Sequence, residues 1–485
     1  KPGEQGEAYG DLRFTLAAVE PPLWAALAAA FLREQGYRVE ILDAEAEGMD
    51  ANQVAERIRA ASPRLVNLVA AGSNPSASST PKMGVCRKIL ARVRELSPGT
   101  LTLLSGIHPS ALPEKTLEEE PVDFVARGEG FLTVAELLGF LRQHPGRGDY
   151  PVIPGLWYRR EGRVVGHGWS DLVQDLDQLP VPAWDLLPME KYRAHNWHCF
   201  DRIGHRSPYA VLFTSLGCPY HCRFCNISAL YNGRSGIRYR AISRIVDEIG
   251  LLVERYGVRN LKIVDELFVL QPDRVRQFCE HLIRRDYDLN IWAYARVDTV
   301  TPELLGKLKQ AGVNWLAYGI ESGSKRVREA VTKGAFGQER IRDAIAMTHE
   351  AGISIVANFI FGLPEDDATT MRETLELAKD LNCAYANFYA AMAYPGALLY
   401  QDALARGLPL PESWAGYSQY AYEALPLPTR HLSGEEVLAF RDHAFEEYYS
   451  RPEYQAMMEA RFGPEVLGHL KEMLRYRIPR RHALK

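Results

Sequence analysis

The 485-residue chain is poor in cysteine, in charge of one sign and in long apolar runs. It has seven cysteines, an odd number, and Cys86, Cys199, Cys279 and Cys383 are scattered. That pattern argues against a disulfide framework of the kind small secreted domains use. These four read as buried, reduced thiols. The formal net charge is −4, so no global basic field points to a nucleic-acid partner. The longest apolar run, around Leu23 to Leu32, is too short to span a bilayer. No signal-peptide pattern is present, although the chain begins on Lys1 rather than Met. A reducing, cytoplasmic location is the expectation. The basic stretch Arg475 to His482 reads as a solvated tail. No internal repeat or low-complexity tract stands out. The length allows about three domains.

Against that sparse use of cysteine, Cys218, Cys222 and Cys225 crowd into Gly217-Cys-Pro-Tyr-His-Cys-Arg-Phe-Cys-Asn226. Three thiolates at Cys-x3-Cys-x2-Cys spacing can hold three irons of a four-iron, four-sulfur cluster and leave the fourth open for chemistry. A zinc site is a second reading, but it wants a fourth ligand, and His221 inside the loop would make a strained knuckle. A disulfide with a spare thiol is a third. The run Tyr209 to Ser215 reads as a strand, so the cysteines follow its C-terminal end. In parallel α/β folds that end carries the chemistry.

This loop resembles the cluster loop of the radical S-adenosylmethionine (SAM) enzymes, and the resemblance covers about residues 205 to 400. Leu261 to Phe268 looks like a second barrel strand with the acidic end Asp265-Glu266. Trp292 to Asp298 looks like the third. Tyr318 to Gly323 is similar to the segment that contacts the SAM ribose and amino-acid end, and Asn358 to Glu365 to the strand and turn near the adenine. The resemblance implies SAM contacts at Phe224, Glu266, Arg296, Glu321, Ser322 and Glu365. Independently, apolar runs alternate with helix-period segments at Ser243 to Tyr256, Pro272 to Arg285, Thr301 to Ala311 and Gln338 to Ala351. That alternation predicts parallel βα units. Carboxylates and an arginine suit the ammonium, carboxylate and hydroxyls of SAM. Taken singly, Asp265, Glu266 and Glu321 also fit as helix caps.

The front of the chain predicts a doubly wound sheet of about five parallel strands: Leu12 to Ala18, Tyr37 to Asp43, Leu65 to Ala71, Leu101 to Leu104 and Val122 to Ala126. Small residues follow the strands, at Gly72 to Ser78, Ser105-Gly106 and Arg127-Gly-Glu-Gly130, and let a large ligand approach the backbone. This half resembles the cobalamin-binding domain that precedes the barrel in one large radical SAM subclass. The resemblance implies cobalamin contacts at Trp24, Ser73, Asn74, Ser76, Ser105, Gly106, Gly128 and Glu129. The Asp-x-His-x-x-Gly motif that supplies a histidine to cobalt is absent, and His108 follows the wrong strand. Trp24 or Asn74 is the candidate for the lower face of cobalt.

The expected organisation is a Rossmann-like front domain over 1–145, a linker and hairpin over 146–204, a (β/α)6 partial barrel over 205–405 and a helical region over 406–485. His195 to Phe200 reads as a structural crossing or, less simply, a second metal site. With the C-terminal region, it is expected to roof a pocket between the two domains. Tyr394 is the candidate catalytic tyrosine on its wall. Tyr417, Tyr420 and Tyr422 fit either a pocket wall or helix packing. The resemblance implies C-methylation of a small or medium organic substrate through a 5′-deoxyadenosyl radical and methylcobalamin, with an external flavodoxin- or ferredoxin-type electron donor. A cobalamin-assisted cyclisation or rearrangement is the alternative on the same scaffold, and a non-catalytic sensor is the alternative of another class.

Overall fold

The computed structural model describes residues 16–71, 79–144 and 150–482. Two sheets organise it. The front sheet has the order β1 (Leu65–Ala70), β2 (Leu101–Gly106), β3 (Phe124–Ala126), β4 (Leu156–Arg160) and β5 (Arg163–Gly166). The first three strands are parallel, and β4 and β5 form an antiparallel hairpin on the edge of β3. The hairpin expected within 146–204 is therefore present and extends the front sheet.

Of the five expected parallel strands, Tyr37 to Asp43 is not a strand and Leu12 to Ala18 lies mostly outside the described residues. Of Leu12 to Ala18, only 16–18 are described. They carry no ladder, and Val19 makes a single antiparallel bridge to Arg193. Tyr37 to Asp43 carries no strand either. Its alternating apolar residues are used differently: Val39 and Ile41 pack against Ala29, Ala30 and Ala183. Asp43 then caps a short helix by accepting from the Glu45 and Ala46 N–H groups at 3.1 Å. The free edge of β1 that this segment would have covered faces a cavity instead.

The second sheet is built from β6 (Tyr209–Leu212), β9 (Asn260–Ile263), β10 (Asn290–Ala295), β11 (Val313–Glu321), β12 (Ser354–Phe361) and β13 (Tyr385–Ala390). All six are parallel and lie in sequence order, the (β/α)6 partial barrel expected from the alternation. Helices Ile242–Tyr256, Pro272–Arg285, Pro302–Gln310, Gln338–Glu350 and Ala368–Leu381 connect them. Their ends follow local chemistry. Pro272 and Pro302 occupy first-turn positions, Thr301 accepts from the Leu304 N–H, and Gly257 ends its helix at φ 66°.

Between β6 and the first barrel helix, β7 (Ser215–Leu216) and β8 (Arg238–Tyr239) pair antiparallel. This short ladder closes the base of the cysteine loop. Gly217 sits at φ 95°, and a Cβ there would meet the Gly236 carbonyl oxygen at 2.3 Å, so only glycine fits the neck of the loop.

The His195 to Phe200 segment lies at the opposite end of the barrel. Trp197 packs on Trp292, Trp315 and Tyr385, which stand near the starts of β10, β11 and β13. Asn290 donates to the His198 carbonyl at 2.7 Å and to Asn260 Oδ1 at 3.0 Å, and Asn314 donates to Asn290 at 3.3 Å. The segment is a floor under the N-terminal ends of the strands, not the expected roof. The roof comes from the C-terminal region alone. Helix Gly434–Tyr449 packs against β13, helices Pro452–Phe462 and Glu465–Arg475 pack against it and each other, and the chain then turns back. Arg480 donates to both Asp442 carboxylate oxygens at 2.9 Å and to the Gln419 carbonyl at 2.6 Å. The basic stretch at 475–482 is thus a docked strap, because Asp442 and two carbonyls neutralise and bind its buried guanidinium. It is not a solvated tail.

Buried ion pairs tie the front half to the barrel. Glu129 binds Arg238, with one contact at 3.2 Å, and Lys262 binds Glu20 at 3.1 Å. Trp184, in the segment between the hairpin and β6, donates to Glu248 at 3.2 Å.

Candidate functional site

A cavity of about 1530 Å³ runs from the free edge of β1, past the cysteine loop, into the barrel. Its wall includes residues from both sheets and from the C-terminal roof. Cys218, Cys222 and Cys225 all face it, as do Trp24, Ser105, Gly106, Gly128, Glu129, Phe224, Glu266, Arg296, Glu321 and Tyr394. The two sets of residues singled out from sequence therefore meet in one space.

All three loop cysteines are free thiols, so a disulfide within the loop is not formed. Among the described residues no three metal-ligating side chains stand close enough to hold a single ion, as a zinc site would require. A four-iron cluster spreads its ligands, one thiolate to each iron, and the loop offers three free thiols on the cavity wall. Burial raises the thiol pKa of all three, for Cys225 to about 12, and Lys333 offsets part of the rise at Cys222 and, more weakly, at Cys218. A positive partner for thiolates is thus built into the wall.

Lys333 belongs to a loop that clasps the cysteine loop. The Arg223 N–H donates to the Val331 carbonyl at 3.1 Å, Thr332 Oγ1 donates to the His221 carbonyl at 2.5 Å, and Arg296 donates to the Lys333 carbonyl at 3.0 Å. Lys333 Nζ then reaches Glu321 at 2.8 Å. Burial lowers the lysine pKa, but Glu321 and Cys222 outweigh it and leave Lys333 above its ordinary value. Glu321 ends β11 with φ 67°, a left-handed backbone that turns its carboxylate inward. Arg296 is held by Asp298 at 2.9 Å and lies 4.0 Å over the Tyr220 ring. Glu266 accepts from the Gly217 N–H at 3.2 Å and from Tyr231 at 3.1 Å, and burial pushes its pKa up to about 7. A ribose, an ammonium and a carboxylate all find partners in this set.

Two of the expected SAM contacts are not on this wall. Ser322 is fully buried behind β11, bonded to Thr374 at 3.1 Å. The bulge between Gly319 and Glu321 turns Glu321 toward the cavity and leaves Ser322 packed behind it. Glu365 faces outward, paired with Arg430 at 3.0 Å and Arg326 at 3.6 Å, and lines a separate small pocket. Its place near the barrel rim is taken by Asn358 and Ile360, which do line the cavity.

On the front side, Ser105 Oγ donates to Asn67 at 2.9 Å beside the cavity. Gly106 has φ 133° and a Cβ there would strike the Ala70 carbonyl oxygen at 2.3 Å, and at Gly128 one would meet Ser170 Oγ at 2.4 Å. Both turns therefore admit only glycine, and both border the cavity. Trp24 stacks on Phe131 at 5.7 Å. Glu129 lines the cavity, but Arg238 and the Val173 N–H occupy its carboxylate, so it joins the domains and offers no free group to a ligand. Ser73, Asn74 and Ser76 lie outside the described residues, and the flanking Ala71 and Lys82 line the cavity. His108 does not: it is buried between Thr80 at 3.1 Å and the Trp414 ring at 4.5 Å, and burial drives its pKa down to about 3.

Among the expected tyrosines, Tyr394 and Tyr420 line the cavity. Tyr417 is buried behind it in the cluster of Leu399, Tyr400 and Leu427, and Tyr422 is 55% exposed. Sequence reasoning missed Lys333, Tyr220, Tyr231 and the Lys262–Glu20 pair. Tyr220 lies inside the cysteine motif but at one of its variable positions; the others carry no local motif and reach the site through contacts distant in sequence.

Comparison with known proteins agrees with this geometry. The radical SAM superfamily profile matches residues 212–378, and the B12 binding domain profile matches 10–138. An uncharacterised methyltransferase of Pyrococcus horikoshii is 30% identical over 433 residues, which is 89% of this chain and 88% of that protein. The anaerobic magnesium-protoporphyrin IX monomethyl ester cyclase of Rubrivivax gelatinosus is 29% identical over 387 residues, 79% of this chain and 66% of the cyclase. The radical SAM methyltransferase TsrM of Kitasatospora setae, solved with cobalamin and a [4Fe-4S] cluster, shares the fold with a TM-score of 0.67 at 19% identity, over 88% of this chain and 86% of that one. With two domain profiles in the order of its two sheets and a full-length relative at 30% identity, the chain belongs to the radical SAM enzymes that carry a B12-binding domain, and its cofactors are a 4Fe-4S cluster, S-adenosylmethionine and cobalamin.

Proposed function

We propose that the chain is a cobalamin-dependent methyltransferase acting on an unactivated carbon of a small or medium organic molecule. The observation that carries this reading is the cavity lined both by Ser105, Gly106 and Gly128 and by the three loop cysteines. When bound, the cluster with SAM supplies a hydrogen-abstracting radical, and cobalamin supplies the methyl group. The protein's part is positioning and exclusion of water.

Cys218, Cys222 and Cys225 hold the cluster in this proposal. Glu321 and Lys333 take the ammonium and carboxylate of SAM, Arg296 and Glu266 its remaining polar groups, and Phe224 packs on its adenine side. Ser105, Gly106, Gly128 and Trp24 receive cobalamin, with Ser73, Asn74 and Ser76 in the adjoining loop. Tyr394 stands on the substrate wall, where burial raises its pKa and keeps its hydroxyl protonated. The proposed units are a cobalamin-binding domain over 1–145, a linker and hairpin over 146–204 that extends its sheet, the barrel over 205–405 and the C-terminal roof over 406–485. An external flavodoxin- or ferredoxin-type protein supplies electrons. The proposal places the enzyme in the cytoplasm, with no nucleic-acid partner. No helix among the described residues is long and apolar enough to cross a membrane.

A second reading, oxidative cyclisation or rearrangement, is favoured by the 29% identity to the protoporphyrin ester cyclase. Anaerobic incubation of the loaded enzyme with cell extract and SAM deuterated in its methyl group separates the two. Methylation puts the label into a new product, whereas cyclisation leaves the product unlabelled and overturns the first reading.

A further inference from the structure

Arg328 is fully buried, and among the described residues no carboxylate forms an ion pair with it. The two cations of the neighbouring cavity wall are paired, Lys333 with Glu321 at 2.8 Å and Arg296 with Asp298 at 2.9 Å. A guanidinium keeps its charge at any ordinary pH, so burying it without a counter-ion is costly. A well-packed apolar side chain of similar volume avoids that cost. The hydrogen bonds of Arg328 go instead to two backbone carbonyls. Nη1 donates to the Ser322 oxygen and Nη2 to the Phe336 oxygen, both at 2.5 Å, while the Nε–H has no partner. The guanidinium also lies 5.0 Å from the centre of the Phe336 ring.

The places of those two carbonyls give the burial a purpose. Ser322 directly follows Glu321, whose left-handed backbone aims its carboxylate at Lys333. Phe336 lies further along the Lys333 loop, the one that clasps the cysteine loop through Val331 and Thr332. The Arg328 carbonyl also accepts the Lys333 N–H at 2.9 Å, and the Lys333 carbonyl accepts from Arg296 at 3.0 Å. One side chain therefore holds the turn next to each member of the Glu321–Lys333 pair. The rigid, two-pronged guanidinium suits that task, and an ammonium, a single point charge on a flexible stem, does not. Glu321 and Lys333 line the cavity and Arg328 does not. Whatever Arg328 does for a ligand passes through the pair.

We infer that Arg328 is a positioning residue for SAM: its fork fixes the spacing and aim of the Glu321–Lys333 pair, and through the pair it serves the amino-acid end of SAM and not the adenosine end. The inference rests on the proposal above that this pair takes the ammonium and carboxylate of SAM. It implies a selectivity that plain packing lacks. Without the fork the two turns lose their common anchor, and only ligands that carry the amino-acid end are weakened. Residues that act through one another are also non-additive, so the effect of Arg328 disappears once the pair itself is gone.

The test uses the full chain with its cluster reconstituted under anaerobic conditions, and two probes. SAM carries both ends, and 5′-methylthioadenosine lacks the amino-acid end. In equilibrium dialysis, Arg328→Met is expected to weaken SAM about tenfold and 5′-methylthioadenosine less than about twofold. Arg328→Lys, which keeps the charge but not the fork, is expected to weaken SAM about threefold, again with little effect on the other probe. In a Glu321→Gln, Lys333→Met background, adding Arg328→Met is expected to cost SAM less than about twofold more. Equal loss of both probes, no loss of SAM, or a further tenfold loss in the background without the pair overturns the inference. Should Arg328→Met not fold, Arg328→Lys decides, alone and in the same background. Should 5′-methylthioadenosine bind too weakly to measure, the comparison of the two backgrounds on SAM decides. Lys333→Met with the same probes tests the assignment of the pair separately. Selective loss of SAM there, without selective loss in the Arg328 variants, overturns the inference and leaves the proposed SAM contacts standing. Uniform loss or none in Lys333→Met overturns the assignment of the pair and the inference with it.

Discussion

Lys333 and Glu321 form an ion pair of 2.8 Å on the cavity wall, with side chains only 11% and 8% exposed. Both residues come from turns of left-handed backbone or its neighbours: Glu321 has φ 67°, and Lys333 follows Thr332 at φ 55°. A Cβ on Gly319 would meet Glu321 Oε1 at 2.5 Å and Lys333 Nζ at 2.7 Å, so the pair lies directly against bare backbone. Removing one member leaves a buried charge. Lys333→Met is expected to lower stability by roughly 3–5 kcal/mol in urea unfolding and to weaken SAM binding at least tenfold in equilibrium dialysis. The double change Lys333→Met, Glu321→Gln recovers much of the stability but not the SAM affinity. A single Lys333→Met change that leaves both quantities intact contradicts the assigned role.

The cysteine loop carries the second prediction. Cys218→Ala, Cys222→Ala and Cys225→Ala each remove one iron ligand of the proposed three. The visible absorbance of the reconstituted cluster and SAM cleavage are expected to disappear in each variant. Retention of a full four-iron cluster in any of them refutes the ligand set.

The front domain offers cobalt no histidine among the described residues that flank the cavity near Ser105 and Gly106. His108 is committed to Thr80 and Trp414. Spin resonance of the Co(II) protein is expected to lack nitrogen hyperfine structure from a protein imidazole, and His108→Ala to leave the spectrum unchanged. A nitrogen pattern lost in a histidine variant would falsify this reading.

How much of this was legible in the chain follows from how local each signal is. The barrel strands and helices are set by runs of ten or so residues with their own caps, as at Thr301 and Gly257. The cysteine loop is set by the spacing of three residues. These were readable. Tyr37 to Asp43 has the alternation of a strand, but a strand exists only if a neighbour pairs with it, and β1 leaves that edge to the cavity. His195 to Phe200 immediately precedes the cluster strand in sequence yet sits at the far end of the barrel, because β6 must be entered from its N-terminal side. The charge run at 475–482 looks solvated until Asp442, 38 residues earlier, is known to face Arg480. Glu365 carries the right chemistry in the right turn, but Arg326 and Arg430 turn it outward.

A pH effect on stability is expected from Asp366, in the turn after β12. It is 1% exposed and accepts from the Gly362 and Leu363 N–H groups at 3.1 and 3.0 Å and from Thr370 at 2.8 Å. Burial outweighs these bonds and lifts its pKa to about 6. The folded state therefore keeps a proton that the unfolded chain releases near pH 4. Between those values the unfolded state binds fewer protons, so the contribution of this group to stability falls as pH rises from about 4 to about 6 and is flat above. The fall is on the order of 2–3 kcal/mol. Asp366→Asn keeps the acceptor for the two N–H groups and is expected to remove this component of the slope in urea unfolding across that window. An unchanged slope assigns the effect elsewhere.

The strap that roofs the cavity makes the last prediction. Met473, Leu474, Tyr476, Arg477 and Ile478 line the cavity, and Arg480 anchors them through Asp442 and the Gln419 and Ala421 carbonyls. Arg480 is 8% exposed in its side chain, so its charge is compensated by these contacts and not by water. Arg480→Ala removes the anchor and leaves Asp442 paired with Arg441 alone. The strap then opens more often, and water reaches a space whose chemistry requires its exclusion. Arg480 bonds to Asp442 and to the Gln419 and Ala421 carbonyls, and the change removes no bond to the cluster loop or to the Glu321–Lys333 pair. The expectation is that SAM is still bound and still cleaved, while cleavage becomes uncoupled: 5′-deoxyadenosine formed per methylated product rises several-fold, because positioning and dryness of the substrate are lost before cofactor binding is. Arg480→Lys, which keeps the charge but not the two-pronged geometry, falls between the two. Loss of SAM binding in Arg480→Ala, or coupling identical to the unaltered enzyme, removes the strap from the list of elements that close the site.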